Sequence, residues 1–83
     1  MYYVYALSSL RRNYIYVGLT DDLERRIHQH NSGLNVTTKP YAPFVLIYSK
    51  TFPTRIEARR REKYLKSGIG KEFLRGLKAG SRE

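Results

Sequence analysis

The stretch YIYVGLTDDLERRIHQHNSG, Tyr14 to Gly33, changes hydrophobic period halfway along. As far as Leu19, tyrosine and apolar residues alternate with period two, as in a strand. Beyond it Leu23 and Ile27 are four apart, as on one face of a helix. Thr20 is the expected N-cap, Asp21 and Asp22 favour the positive end of the helix dipole, and Asn31-Ser32-Gly33 supplies a stop. The spacing predicts a helix over 21–30. At about 100° per residue, Arg26 and His30 fall beside the Leu23/Ile27 stripe and Arg25 points nearly opposite. Arg26 and His30 can therefore face a sheet while Arg25 is solvated.

Upstream, YYVYAL (residues 2–7) has the same alternation as YIYVGL (14–19), and the polar SSLRRN between them reads as the turn of a β-hairpin. Pairing Tyr5 with Tyr16 puts Val4, Ala6, Ile15 and Val17 on one face. Tyr3, Tyr5, Leu7, Tyr14, Tyr16 and Gly18 share the other. The sheet is thus expected to be aliphatic on one side and rich in tyrosine on the other.

Downstream, NVTTKPYAP is a loop by its prolines and small polar residues, and FVLIYSKTF (44–52) has the unbroken apolar, β-branched character of a central strand. A second helix follows, with Thr54 and Glu57 at capping-box spacing and Gly68 as its stop. The segment GKEFLRGLKAG predicts one more short helix packing through Phe73, Leu74 and Leu77. The order strand, strand, helix, strand, helix, helix gives an α+β fold, a small three-stranded antiparallel sheet flanked by helices, in a single domain over residues 1–83.

The chain has 83 residues, no cysteine, and 16 Lys plus Arg against seven Asp plus Glu, for a formal charge of +9. Without cysteine there is neither a disulfide framework nor a thiolate metal cluster, and a cytoplasmic location is expected. The N-terminus has the pattern of neither a signal peptide nor a membrane span. The charge calls for a polyanionic partner, with nucleic acid ahead of an anionic membrane surface. The second helix has too few large apolar residues for membrane binding.

Ala58, Glu62 and Leu65 follow one another at helical spacing, so a carboxylate falls on an otherwise apolar stripe. A half-buried Glu62 needs a cation such as Arg26 or a divalent metal. The other reading is a solvated Glu62 paired with Arg59 or Lys66, with Ile56 doing the packing, and periodicity leaves both open. Phosphodiester cleavage needs an activated water, a cation on the scissile phosphate and neutralisation of the leaving oxygen. Tyr5 or Tyr16, Arg26, and Glu62 holding Mg²⁺ or Mn²⁺ would supply these. His28 and His30, two apart on a helix, point to different faces and do not form a zinc pair.

The segments Tyr3-Val4-Tyr5 and Tyr16-Val17-Gly18, followed by Arg26, His30 and RREKYLK with Glu62, resemble the GIY-YIG nuclease superfamily. In particular the chain looks like its small stand-alone members, which are related to the nuclease domain of the excinuclease. The resemblance spans about residues 2–74. It implies a Mg²⁺- or Mn²⁺-dependent endonuclease acting on nucleic acid, most simply DNA, in repair or recombination, with a protein partner left open. Carried over by motif, Tyr5 and Tyr16 are the two motif tyrosines, Arg26 the helix arginine, His30 the His-or-Tyr position and Glu62 the metal-binding glutamate. Tyr3 stands where the family name has Gly, Val17 where it has Ile, and no Asn follows Glu62 as in many members. The alternative is a basic module that binds nucleic acid on the same scaffold without cleaving it. In either case Arg59, Arg60, Arg61 and Lys63 are the candidate phosphate contacts.

Overall fold

The two tyrosine-rich runs pair as the antiparallel strands β1 (Tyr2–Ser9) and β2 (Ile15–Thr20) of a computed structural model that describes the backbone of residues 1–80 and the side chains of residues 1–78. Ser9 closes the hairpin, since its Oγ accepts the amides of Arg11 and Arg12 at 3.1 Å each and its own amide donates to the Tyr14 carbonyl at 2.9 Å. The register pairs Tyr5 with Gly18 and Leu7 with Tyr16, two residues away from the expected Tyr5–Tyr16 pairing. An even shift leaves every side chain on its expected face. The reason for the shift is steric. The Tyr5 ring lies over Gly18, where an added Cβ would sit 2.5 Å from Tyr5 Oη and 2.9 Å from Tyr16 Cε2. Only glycine lets the phenol settle across the strand pair.

Strand β3 (Phe44–Phe52) pairs antiparallel with the other side of β1, giving the order β2-β1-β3. The expectation of a central strand at 44–52 is thereby corrected: β1 is central and β3 is an edge. Burial explains the exchange, for β1 is buried continuously from Val4 to Ser9, whereas Val45 and Leu46 of β3 remain exposed. Tyrosine in β1 makes that strand look more polar than its fully covered position is.

Helix α1 (Leu23–Asn31) starts two residues later than the spacing predicts. Thr20 makes the preceding turn by accepting the Asp22 amide at 3.0 Å, and Asp22 is the N-cap, accepting the Arg25 amide at 3.2 Å. Helix α2 (Arg55–Lys66) has the expected cap, with Thr54 Oγ1 accepting the Glu57 amide at 3.3 Å. After α2, Ser67 accepts the Gly70 amide at 3.2 Å, so Gly68 opens α3 (Gly68–Gly80) as well as ending its predecessor. A Cβ at Gly70 would collide with the Tyr64 carbonyl and Leu65, which explains glycine where α3 turns back on α2.

The sheet separates two cores. Val4, Ala6 and Val17 pack with Ala58, Leu65 and Leu74 from α2 and α3. On the opposite face Tyr5, Leu7 and Phe44 pack with Tyr14, Tyr16, Tyr41 and the α1 residues Leu23 and Ile27. Ile56 is 68% exposed, so α2 docks through Ala58 and Leu65 instead. Phe73, expected to pack, is partly exposed and meets the Tyr48 ring edge-on at 5.8 Å between centroids. Among the described residues no helix is long and apolar enough to cross a membrane.

Candidate active site

The centre of the tyrosine face is built by β1, β2 and the last turn of α1. Tyr5 is fully buried, and its Oη lies 3.2 Å from His30 Nε2. His30 is itself fully buried, with Nδ1 2.8 Å from Thr38 Oγ1. Thr38 Oγ1 has the Asn35 carbonyl at 3.5 Å to donate to, which leaves its oxygen free to accept Nδ1–H. His30 Nε2 then accepts from the Tyr5 hydroxyl. Tyr16, half-buried, sits over the same imidazole with ring centroids 4.6 Å apart and lies 6.2 Å from the Tyr5 ring.

Arg26 projects from α1 towards both phenols and donates from Nη1 to Gln29 Oε1 at 3.0 Å. Hydrogen bonding to Tyr5 raises the Arg26 pKa further, against a smaller opposing effect of burial. Burial pushes the Tyr5 phenol up, and the Arg26 hydrogen bond offsets only part of that. His30 is pushed down, first by burial and then by the Arg26 charge, so it stays neutral and able to accept a proton. Arg25, as its position predicts, is exposed and pairs with Asp21 and Asp22.

Glu62 lies on α2, the helix that covers the aliphatic face. Its side chain is only 12% exposed, and it pairs with Lys66 at 3.3 Å and Arg59 at 3.8 Å. Each open reading of this residue is partly realised: the carboxylate is largely covered, but its cations are Arg59 and Lys66 instead of Arg26. Tyr5, Tyr16 and His30 thus come together, with Arg26 near enough for its charge to act on both phenols, whereas Glu62 lies on the helix that covers the opposite face of the sheet. Among the described residues no three His, Asp or Glu side chains gather to hold a metal ion. One largely covered carboxylate fits a hydrated Mg²⁺ or Mn²⁺ that keeps most of its waters, and it does not fit zinc.

The arginine run on α2 divides. Arg59 is held by Glu62, Arg61 lies 5.3 Å from the Tyr64 ring centroid, and Arg60 and Lys63 are exposed. The sequence does not show the part that two residues of this region play. Thr38 is fully buried behind His30, yet it sits in a loop that reads as polar connection. Asn31, legible only as a helix stop, accepts the Phe44 amide at 2.6 Å through Oδ1 and so ties the end of α1 to the start of β3.

A family model described as the GIY-YIG catalytic domain matches residues 1–73. The chain is 39% identical over 67 residues to a UPF0213 protein of Staphylococcus haemolyticus, covering 80% of each. It is also 39% identical over 85 residues to one of Halalkalibacterium halodurans, covering 99% of this chain and 89% of the relative. The solution NMR structure of a UPF0213 protein from Bacillus halodurans superposes with a TM-score of 0.56, at 39% identity, over 96% of this chain and 88% of that one. Like this chain, these are small proteins.

Proposed function

Because the chain belongs to the GIY-YIG catalytic domain family, we propose that it is a divalent-metal-dependent endonuclease that hydrolyses phosphodiester bonds of DNA in repair or recombination. The observation that supports this reading most is the contact of Tyr5 with His30 while Arg26 reaches both tyrosines, so that a fixed cation and a proton path share one face of the sheet.

In this reading Arg26 binds a non-bridging oxygen of the scissile phosphate. Its charge is permanent, and its guanidinium is held by Gln29 before substrate arrives. Tyr16 is the phenol in contact with the attacking water, since Tyr5 is fully buried and already engaged with His30. As the water oxygen bonds to phosphorus, the bond from phosphorus to the leaving oxygen breaks and the departing alkoxide takes a proton from solvent. The water's proton passes to the Tyr16 oxygen, the Tyr16 proton to the Tyr5 oxygen, and the Tyr5 proton to His30 Nε2. An imidazolium beside Arg26 is costly in the free protein. A bound phosphodiester neutralises Arg26 and lowers that cost. Thr38 and Asn35 fix the tautomer that leaves Nε2 ready to accept. Glu62 would hold the metal, whose chemistry is to neutralise the charge that develops on the leaving oxygen. The cations Arg59, Arg60, Arg61 and Lys63 give α2 a further surface for phosphates, and a cytoplasmic location agrees with the lack of cysteine.

The test is incubation with labelled duplex, single-stranded and branched DNA and with RNA, in Mg²⁺, in Mn²⁺ and in chelator, beside Glu62→Ala. The expected result is cleavage of at least one DNA that is lost both in chelator and in the variant. Binding without cleavage across the panel would replace this reading with the non-catalytic module.

A further inference from the structure

A groove of about 480 Å³ runs along the outer edge of β2, bounded by Asn13 to Val17 on one side and by the end of α2 and the exposed face of α3 on the other. Its cations are Lys66, Lys71 and Arg75, and among the described residues no Asp or Glu lines it. Lys66 is spoken for by Glu62. Lys71 and Arg75, one helical turn apart on α3, are exposed and make no ion pair among the described residues. Tyr14 and Tyr16 form the aromatic wall, and Tyr14 is held rigid by stacking on Tyr41 with centroids 4.0 Å apart and planes at 14°. Leu65 and Leu74, both buried in the aliphatic core, lie beneath it. Because β2 is an edge strand, one side of its backbone faces this groove without a strand partner.

Cations along a groove, aromatic rings in its wall and unpaired backbone amides are what a single nucleic-acid strand needs, the cations for its phosphates and the rings for its splayed bases. An intact duplex is a rod with its bases turned inward and has no use for the aromatic wall. The groove also contains Tyr16 of the tyrosine face and Lys66, the partner of Glu62, so it joins the two layers of the candidate site. We propose that the β2-edge groove is the track for one single strand of nucleic acid, with Lys71 and Arg75 as its principal phosphate contacts. This rests on reading the chain as a nuclease, and it adds contacts that lie outside the arginine run of α2.

The experiment is a binding titration of a fluorescent single-stranded oligonucleotide, and of the matching duplex, in chelator and over a range of salt. It compares wild type, Lys71→Ala/Arg75→Ala, and a control, Lys50→Ala/Arg55→Ala, that removes the same charge near the C-terminal end of β3. The groove variant is expected to bind the single strand about tenfold more weakly, with a salt slope shallower by about 1.4, the value for two lost contacts on a single strand. The control should change affinity by less than about twofold. Equal loss in both variants, or none in the groove variant, would overturn the proposal, as would a loss on duplex as large as that on the single strand. Both pairs are exposed, so unchanged thermal midpoints are expected and show that each variant is folded. Binding is read without cleavage, so a protein that binds through the groove but cuts nothing would sink the nuclease reading and leave the groove standing. A protein that cuts, with a groove variant that binds normally, would do the reverse.

Discussion

Alternate residues of β1 serve two layers of different character. Val4 and Ala6 meet Leu65 and Leu74 in an aliphatic core. One residue along, Tyr5 points the other way into a hydrogen-bonded chain with His30 and Thr38, beside the Arg26 charge that Gln29 holds. The aliphatic layer gains stability from apolar area alone, whereas the tyrosine layer gives up some of that area to hold hydroxyls, an imidazole and a guanidinium in fixed positions. The comparison assigns stability mainly to one face and chemistry mainly to the other, and each assignment can be broken separately.

The largest effect on stability is expected from Leu65→Ala, which opens a cavity where α2 meets the sheet and should cost about 2–5 kcal/mol. Urea unfolding followed by circular dichroism measures it, and cleavage per folded molecule should stay near wild type. On the other face, Arg26→Ala should lower cleavage by about 10²–10³-fold, the usual loss for one preorganised charge-stabilising donor, and move the urea midpoint little. A loss of stability matching that of Leu65→Ala would mean that Arg26 is mainly structural.

Gly18→Ala couples the two properties. Its methyl group needs space already filled by the phenol of Tyr5, so overpacking should cost about 1–3 kcal/mol, and displacement of Tyr5 should slow cleavage in the same protein. A variant with full activity would show that the position of Tyr5 over Gly18 does not matter to the chemistry. The smallest effect is that of pH. Burial and Arg26 depress the His30 pKa in the folded state, so the unfolded chain takes up this proton first as pH falls. Stability attributable to His30 is therefore complete above its unfolded value near 6.5 and declines below it. Denaturation midpoints at about pH 7.5 and 5.5 should differ less in His30→Gln than in wild type.

The two layers are also unequally legible in the sequence. Strand alternation and helical spacing are enough to sort Val4, Ala6 and Val17 from Tyr5, Leu7 and Tyr16, because side-chain direction follows period whatever the register. The register itself depends on a ring lying over Gly18, a tertiary contact with no local pattern. The order of the strands is misread because tyrosine in β1 looks less buried than the aliphatic run of β3. Arg26 and His30 can be placed beside the Leu23/Ile27 stripe by angle alone. Glu62 is recognisable as a carboxylate out of place, but its partners Arg59 and Lys66 belong to one of two open readings. Thr38 cannot be found, since nothing in a polar loop marks the one hydroxyl that closes behind a buried imidazole. The groove cations Lys71 and Arg75 are hidden for a related reason: they become a surface only when α3 folds back beside β2.

Tyr16 and Val17 are adjacent in β2 and point to opposite layers, which makes their two variants the most direct comparison. The measurement is the rate of metal-dependent DNA cleavage per folded molecule for Tyr16→Phe and Val17→Ala, with urea midpoints taken on the same preparations. Tyr16→Phe is expected to keep its midpoint and lose cleavage, while Val17→Ala loses roughly 2 kcal/mol of stability and keeps its rate. Full cleavage by Tyr16→Phe, or equal losses of rate in both variants, would contradict that expectation.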